Sequence, residues 1–204
     1  MINGIDCHRD NTAASHMPIL MEFIELFKPQ NVIEFGSGNY STKLFLEKIK
    51  YPLSCEMSNR KWFAYMQQQM KNINQEWVYE WCSYEEAKEN IYKRELWDIG
   101  FVDDGDMRAP LANDSFGNVD TIICHDSQAS YSDGIEKTDE YKLLIFKKFP
   151  IEYGHNAGKD VRPWTSLYTR NCDVFNYFSN IDEETLYEKY KFPYVWRKIP
   201  ERAF

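Results

Sequence analysis

A short strand, a glycine turn and a helix follow one another near the start of the chain, and this order restricts the fold more than any other feature. Asn31–Phe35 is a β-branched and aromatic run that ends in Gly36-Ser37-Gly38. Thr42–Lys50 then places its apolar residues at helical spacing. Such units build α/β proteins, whose ligands usually bind at the first strand-to-helix turn.

The same alternation continues along the chain. It predicts an α/β, Rossmann-like, doubly wound and mostly parallel sheet of seven strands, with helices on both faces and an antiparallel hairpin at the C-terminal end. The predicted helices are Met17–Phe27, Thr42–Lys50, Trp62–Ile73, Glu85–Tyr92 and Asp182–Lys191. The predicted strands after Asn31–Phe35 are Leu53–Cys55, Trp77–Trp81, Trp97–Val102 and Val119–Cys124, followed by Phe149–Tyr153 and Trp164–Tyr168 as the antiparallel pair.

The length of 204 residues favours one domain with one core. We divide it into an N-terminal helical segment (1–29), a ligand-binding core (30–170) and a C-terminal helix with a tail (171–204). The tail carries Phe192, Tyr194, Trp196 and Phe204, which would cover either a pocket or a subunit surface, the second as part of a homodimer.

Composition narrows the partners of the chain. A net charge of -8 opposes binding to a nucleic-acid backbone and favours a small-molecule partner. No apolar run approaches the roughly 18 residues of a membrane span, so we expect no membrane insertion. The five cysteines form no C-x-x-C pair and mostly lie in apolar runs, which favours reduced thiols in a cytoplasmic protein.

Two acids flank the glycine turn and indicate the charge of its ligand. A dinucleotide fingerprint G-x-G-x-x-G would need glycine where the chain has Ser41, and the carboxylate of Glu34 would repel a pyrophosphate. Glu56 lies twenty residues after Gly36, where an acid accepts hydrogen bonds from ribose hydroxyls. A nucleoside ligand with a cationic end fits both acids; the alternative is a tight turn with two unrelated strand-end charges.

The segment N-V-I-E-F-G-S-G-N-Y-S-T resembles the first motif of class I S-adenosylmethionine-dependent methyltransferases, and S-C-E-M-S resembles the end of their second strand. The resemblance implies that S-adenosyl-L-methionine is the cofactor. Glu34 would hold its ammonium group indirectly, and Ser41 or Thr42 would bind its carboxylate. The remaining implied contacts come from Phe35, Gly36, Ser37 and Gly38 in the first motif and from Glu56 and Met57 in the second.

Weaker assignments follow from position in the same family. Ser83 follows the third strand, where the family usually contacts adenine. Asp103 and Asp104 end the fourth strand, beside the position of the transferred methyl group. These three residues complete the predicted cofactor site.

Further polar groups follow the fourth and fifth strands and predict the catalytic site. Asp106, His125 and Asp126 are the predicted catalytic residues, with Asp106 or His125 as the base that removes a proton from the acceptor. The pattern D-D-G-D-M followed by H-D resembles metal-dependent O-methyltransferases that act on sugars, which implies Mg²⁺ on Asp104 and Asp126. His125 stands where that family has an acid, and imidazole is a poor magnesium ligand, so capped strand ends remain an alternative.

The sequence leaves the roles of two other histidines open, and it allows more than one function. His16 and His155 are predicted to contact the acceptor, or else to be solvated. The favoured function is methyl transfer to a small-molecule acceptor, at oxygen rather than nitrogen. The alternatives are a non-catalytic binding protein of the same fold and a nicotinamide-dependent oxidoreductase with an atypical glycine turn.

Overall fold

A seven-stranded sheet with the order β3-β2-β1-β4-β5-β7-β6 organises the protein. The computed structural model describes residues 16–127, 134–136, 138–147 and 164–190. The first five strands are parallel, and β7 is antiparallel to both β5 and β6. The strands are β1 (Asn31–Phe35), β2 (Tyr51–Glu56), β3 (Val78–Trp81), β4 (Trp97–Val102), β5 (Val119–His125), β6 (Lys142–Phe146) and β7 (Thr165–Thr169).

Seven α-helices are found among the described residues. They are α1 (Met17–Phe27), α2 (Ser41–Lys48), α3 (Arg60–Met70), α4 (Tyr84–Ile91), α5 (Arg108–Ser115), α6 (Cys172–Ser179) and α7 (Glu183–Lys189). A 3₁₀ turn at Gly105–Met107 leads into α5. None of these helices combines the length and the apolar character needed to cross a membrane.

Neighbouring strand residues face opposite sides of the sheet and bury two separate cores. On one side Val32 and Ile123 pack with residues of α1, α2, α6 and α7. On the other side Ile33 and Ile122 pack with residues of α4 and α5. Because side chains alternate along a strand, two adjacent apolar residues can serve both faces. The predicted doubly wound sheet with helices on both faces is confirmed.

The antiparallel hairpin is also confirmed, but its first strand is not the predicted one. β7 pairs with Lys142–Phe146, whereas the prediction placed this strand at Phe149–Tyr153, which lies outside the described residues. β6 is an edge strand with Leu143 and Ile145 exposed. Its apolar run over residues 143–146 is a strand signal that the prediction left unassigned.

Two helices, α5 and α6, were not predicted. α5 contains Pro110 in its first turn and has only a weak apolar stripe, so the sequence gives little helical signal. α6 is short, but Asn171 caps it by accepting hydrogen bonds from the backbone of Asp173 and Val174. Val174 and Phe178, four residues apart, anchor α6 in the core.

Candidate functional site

The reversal of strand order lies between β1 and β4, and the glycine turn is found there. β1 connects outward to β2, whereas β4 connects to β5 on the other side, so the loops after β1 and β4 separate and leave a crevice. The Asp103 backbone N–H donates to the Phe35 carbonyl at 2.8 Å. A Cβ on Gly36 would lie 2.5 Å from the Asp103 carbonyl oxygen, and its φ is +84°. Only glycine fits this position.

Glu34 is connected to the glycine turn by hydrogen bonds through the residues that follow the turn. Its side chain is fully buried and accepts hydrogen bonds from Ser41 at 2.7 Å, Thr42 at 2.9 Å and Ser54 at 2.6 Å. The Thr42 hydroxyl in turn accepts from the Gly38 backbone N–H at 2.9 Å. Burial raises the pKa of Glu34 to about 7, although the three hydroxyl donors favour the charged form. The acid therefore reaches the turn through Ser41 and Thr42.

Glu56 lies at the end of β2 and is almost completely buried. One of its oxygens accepts from the backbone N–H groups of Ser58 at 2.9 Å and Asn59 at 3.2 Å. The other accepts from the Ser37 hydroxyl at 2.9 Å, and that hydroxyl also lies 2.7 Å from the Tyr79 hydroxyl. The structure thus brings together Ser37 and Glu56, which were predicted separately as cofactor contacts.

Two aromatic residues beside Ser37 were not predicted as site residues. Tyr79 contacts the Ser37 hydroxyl, and the Trp62 indole N–H donates to the Ser37 carbonyl at 2.7 Å. The sequence placed Trp62 in a helix and Tyr79 in a strand without assigning a function to either. Their location could have indicated a role in the site. Trp62 lies in the helix after β2 and Tyr79 lies in β3, both on the side of the crevice where Glu56 lies.

The two acids after β4 diverge. Asp104 is buried and turns toward β2, where its Oδ1 accepts from the Ser58 hydroxyl at 2.9 Å. Its Oδ2 has no hydrogen-bond partner among the described residues. Burial raises the pKa of Asp104, as does the nearby Glu56. Asp104 therefore lies on the ribose side of the crevice in the predicted arrangement, away from the β5 side.

Asp103 turns instead toward β5. Its Oδ1 lies 3.0 Å from an Arg108 guanidinium nitrogen and 3.1 Å from His125 Nδ1. Burial acts to raise the pKa of Asp103, but the charges of His125, His16 and Arg108 outweigh it and lower the pKa to about 2. Burial would lower the pKa of His125, but Asp103 raises it above its usual value. This pair combines a charged carboxylate with an imidazole that readily accepts a proton.

His16 is buried against this pair. Its ring centroid lies 4.4 Å from that of His125 and 4.8 Å from that of Phe101. Burial lowers the pKa of His16 well below its usual value, and His125 lowers it further. The expectation of a solvated His16 is wrong, because α1 brings its N-terminus over the sheet. His155 lies outside the described residues.

The predicted magnesium ligands are not the residues that the structure brings together. Among the described residues, the group whose ligand atoms are close enough to share one ion is His16, Asp103 and His125. Asp104 instead accepts a hydrogen bond from Ser58, and the Oδ1 atom of Asp126 lies 3.6 Å from His125 Nε2. The sequence placed all of these acids at strand ends but gave no information on which way each side chain turns.

The remaining predicted site residues have other surroundings. Asp106 is exposed on the 3₁₀ turn, and Ser83 caps α4 in a reciprocal capping box with Glu86. Phe35 is fully buried in the core, and Met57 packs partly buried against the same core. Their predicted contacts with the cofactor and with the acceptor remain predictions.

The strand order and the antiparallel last pair of strands match the fold of solved methyltransferase structures. No family model matches the chain, and no curated protein matches it. Solved structures do. A Klebsiella pneumoniae protein described as an O-methyltransferase superposes with a TM-score of 0.59 at 12% identity, over 79% of this chain and 87% of that one.

Two further structures show the range of proteins with this fold. An rRNA methylase from Streptococcus thermophilus has a TM-score of 0.54 at 9% identity, over 74% of this chain and 95% of that one. TrmK of M. capricolum, in complex with S-adenosyl-homocysteine, has a TM-score of 0.51 at 10% identity, over 75% of this chain and 68% of that one. Identities this low show a shared fold, and they leave the acceptor open.

Proposed function

We propose that the chain is a S-adenosylmethionine-dependent methyltransferase that acts on an oxygen atom of a small-molecule acceptor. The observation that carries this proposal is the pair of buried acids, Glu34 and Glu56, on either side of a turn that has no room for a Cβ at Gly36. The bound S-adenosyl-homocysteine of the structurally similar TrmK supports the choice of cofactor.

The residues of the crevice fit such a cofactor. Glu56 would accept hydrogen bonds from the ribose hydroxyls, in place of the one from Ser37. The backbone of Gly36 and Gly38 would approach the methionine part, with the charge of Glu34 behind it. Asp104 offers a buried oxygen without a partner among the described residues, which a donor group of the cofactor would satisfy.

When bound, the cofactor supplies a methyl group on a cationic sulfur. An acceptor oxygen would take this methyl group, the electron pair of the carbon–sulfur bond would stay with sulfur, and the acceptor would have to lose its proton. The protein must therefore align the two partners and act on that proton. Asp103 and His125 lie at the ends of β4 and β5, where they can act on an acceptor hydroxyl.

The acidic net charge of -8 supports a small acceptor over RNA. As part of the same proposal we place the protein in the cytoplasm, where the free and buried thiols of Cys55, Cys82 and Cys124 would remain reduced. The proposed aromatic cover over the pocket or over a second subunit involves residues 191–204, which lie outside the described residues.

The test is calorimetric titration of the purified protein with S-adenosyl-homocysteine and with NAD. We expect the first to bind and the second not to. Glu56→Gln should weaken binding about tenfold to a hundredfold, because a hydrogen bond to a charged group contributes about 1.5–3 kcal/mol. Glu76→Gln, which removes an exposed acid, is the matched control and should bind as the wild type does.

Three results would overturn the proposal. Binding of NAD without binding of S-adenosyl-homocysteine would identify NAD as the cofactor. Binding of neither ligand would favour a non-catalytic protein. Unchanged affinity of a Glu56→Gln variant that melts like the wild type would remove the ribose role of Glu56. Transfer of a labelled methyl group to a panel of hydroxyl, amine and RNA acceptors then identifies the acceptor class.

A further inference from the structure

Three side chains that commonly ligate metal ions meet beside the ends of β4 and β5. The ligand atoms of His16, Asp103 and His125 all lie within 4.8 Å of one another. The three residues come from the start of α1 and from two neighbouring strands, so they are far apart in sequence. Both histidines are only 2% exposed.

His16 is the member of this group whose hydrogen-bonding atoms are least satisfied within the described residues. Neither of its ring nitrogens has a hydrogen-bond partner among the described residues, although the side chain is buried. A buried polar group without a partner costs about 1–3 kcal/mol, so native structures rarely retain one without a reason. The rings of His16 and His125 meet edge-to-face, with centroids 4.4 Å apart, so a ligand of His16 would also lie close to His125.

The spacing of the other two ligands suits one ion. His125 Nδ1 and Asp103 Oδ1 are 3.1 Å apart. Two ligand atoms on the same ion, each about 2.1 Å from it, lie roughly 3.0 Å apart in octahedral and 3.4 Å apart in tetrahedral geometry. His16 would complete the set after a side-chain movement of about 1–2 Å.

We propose that His16, Asp103 and His125 form a binding site for one divalent first-row transition metal ion of the zinc, cobalt or iron type. Two imidazoles and one carboxylate suit these ions, whereas Mg²⁺ and Ca²⁺ prefer all-oxygen surroundings. The site differs in both ligands and metal from the Mg²⁺ site that the sequence implied at Asp104 and Asp126.

Arg108 is the group that opposes a cation at this position, since its guanidinium lies 3.0 Å from Asp103 Oδ1. Asp126, with Oδ1 at 3.6 Å from His125 Nε2, adds a second carboxylate to the cluster. With neutral imidazoles, the two carboxylates and one guanidinium leave an excess of negative charge. The cluster therefore still attracts a divalent ion, and the affinity will be lower than without Arg108.

Three protein ligands leave coordination positions open. An ion here would lie next to the Asp103 backbone, which Gly36 of the glycine turn contacts. On the proposed function, a hydroxyl of the acceptor would fill an open position and lose its proton more easily, because a bound metal ion lowers the pKa of its oxygen ligands. His125 would then serve as a ligand and not as the base. Metal binding itself does not depend on methyl transfer.

The test is a titration of the full-length, EDTA-treated protein with Co²⁺, followed by the visible absorption of the bound ion, and then with Zn²⁺ as competitor. We expect one ion per chain and no competition from Mg²⁺. His16→Gln and Asp103→Asn should each weaken Co²⁺ binding at least tenfold. Glu95→Gln removes an exposed acid outside the predicted site and should bind within about threefold of wild type, which controls for net charge.

X-ray absorption spectroscopy of the Zn²⁺-loaded wild-type protein keeps the proposal testable if the variants do not fold. We expect two imidazole ligands at about 2.0–2.1 Å. Fewer than two imidazoles, no Co²⁺ binding, or full binding by folded His16→Gln protein would overturn the site. Because these measurements use no S-adenosylmethionine, their failure is separate from a failure of the S-adenosyl-homocysteine titration.

Discussion

The carboxyl group of Glu34 is fully buried. The free energy of unfolding of the protein should therefore change with pH as Glu34 gains or loses its proton. Burial raises its pKa from 4.5 to about 7, so the folded state binds this proton more tightly than the unfolded state does. The resulting stabilisation is complete below about pH 4.5 and is lost as the pH rises through 7. It amounts to about 3 kcal/mol, since one pKa unit corresponds to about 1.4 kcal/mol.

Glu34→Gln should remove this dependence. The glutamine oxygen can accept from Thr42 and Ser54, and its amide can donate to the Ser41 hydroxyl, so the contacts survive in a neutral form. The quantity to compare is the free energy of unfolding of the variant minus that of the wild type. We expect this difference to be about 3 kcal/mol more positive at pH 8 than at pH 5. Urea unfolding at both pH values measures this difference. An equal difference at both values would contradict the raised pKa.

Positions that local sequence determines were predicted, and contacts between residues distant in sequence were not. Gly36, Glu34 and Glu56 follow from local spacing, because strand length and turn chemistry fix where they lie. The contact between His16 and His125 joins residues more than a hundred positions apart, and no sequence pattern encodes it. The opposite directions of Asp103 and Asp104 depend on backbone angles after β4, which composition does not determine.

At the scale of elements, one glutamate of α1 connects the two ends of the described chain. Glu22 accepts hydrogen bonds from Tyr177 of α6, Lys189 of α7 and Tyr190 just after it. Burial acts to raise the pKa of Glu22, but these donors outweigh it and lower the pKa below its usual value. α1 is therefore held in place over the sheet by α6 and α7, and His16 with it.

Glu22→Gln should loosen this connection in a pH-dependent way. The folded pKa of Glu22 is lowered, so its stabilisation is present above the unfolded pKa of 4.5 and is lost as the pH falls through the lower folded value. We expect a loss of about 2 kcal/mol at pH 7, typical of hydrogen bonds to a charged group, and a smaller loss near pH 3. Urea unfolding at the two pH values measures both.

The neighbouring Glu25 provides the control for this experiment. It is exposed, although it also accepts from Tyr190 at 2.7 Å, so Glu25→Gln should cost no more than about 0.5 kcal/mol. Equal losses in the two variants would show that the position on α1, and not the buried network, determines stability.

Most elements with strong periodicity were predicted, with α6 as the exception, and α5, which has weak periodicity, was missed. β4 has the predicted bounds because Trp97–Val102 is a mostly buried run, with Asp98 as its one charged residue, between two charged segments. α5 lacks an apolar stripe and starts from a 3₁₀ turn, and β6 is an edge strand with exposed apolar residues. α5 therefore depends on its neighbouring elements, whereas the apolar run of β6 over residues 143–146 is present in the sequence and was not assigned.

At the scale of the whole molecule, the sheet brings the two halves of the site to one edge. β1 and β2 carry the glycine turn and Glu56, while β4 and β5 carry Asp103 and His125. Because all four strands are parallel, their carboxyl ends lie side by side. On the proposed function, a cofactor held at the first pair of strands would lie beside the groups on the second pair.

Proteins of this fold include an rRNA methylase, so the fold does not distinguish an RNA acceptor from a small-molecule acceptor. The net charge of the chain does bear on this choice. With 24 basic and 32 acidic residues, we expect no appreciable RNA affinity, with a dissociation constant above about 100 μM at 150 mM salt. Fluorescence anisotropy with a labelled single-stranded RNA and a labelled hairpin, each with and without S-adenosyl-homocysteine, measures this. Micromolar binding that weakens steeply between 50 and 200 mM salt would instead indicate a cationic surface that contacts phosphates, and it would favour RNA over a small molecule as the acceptor.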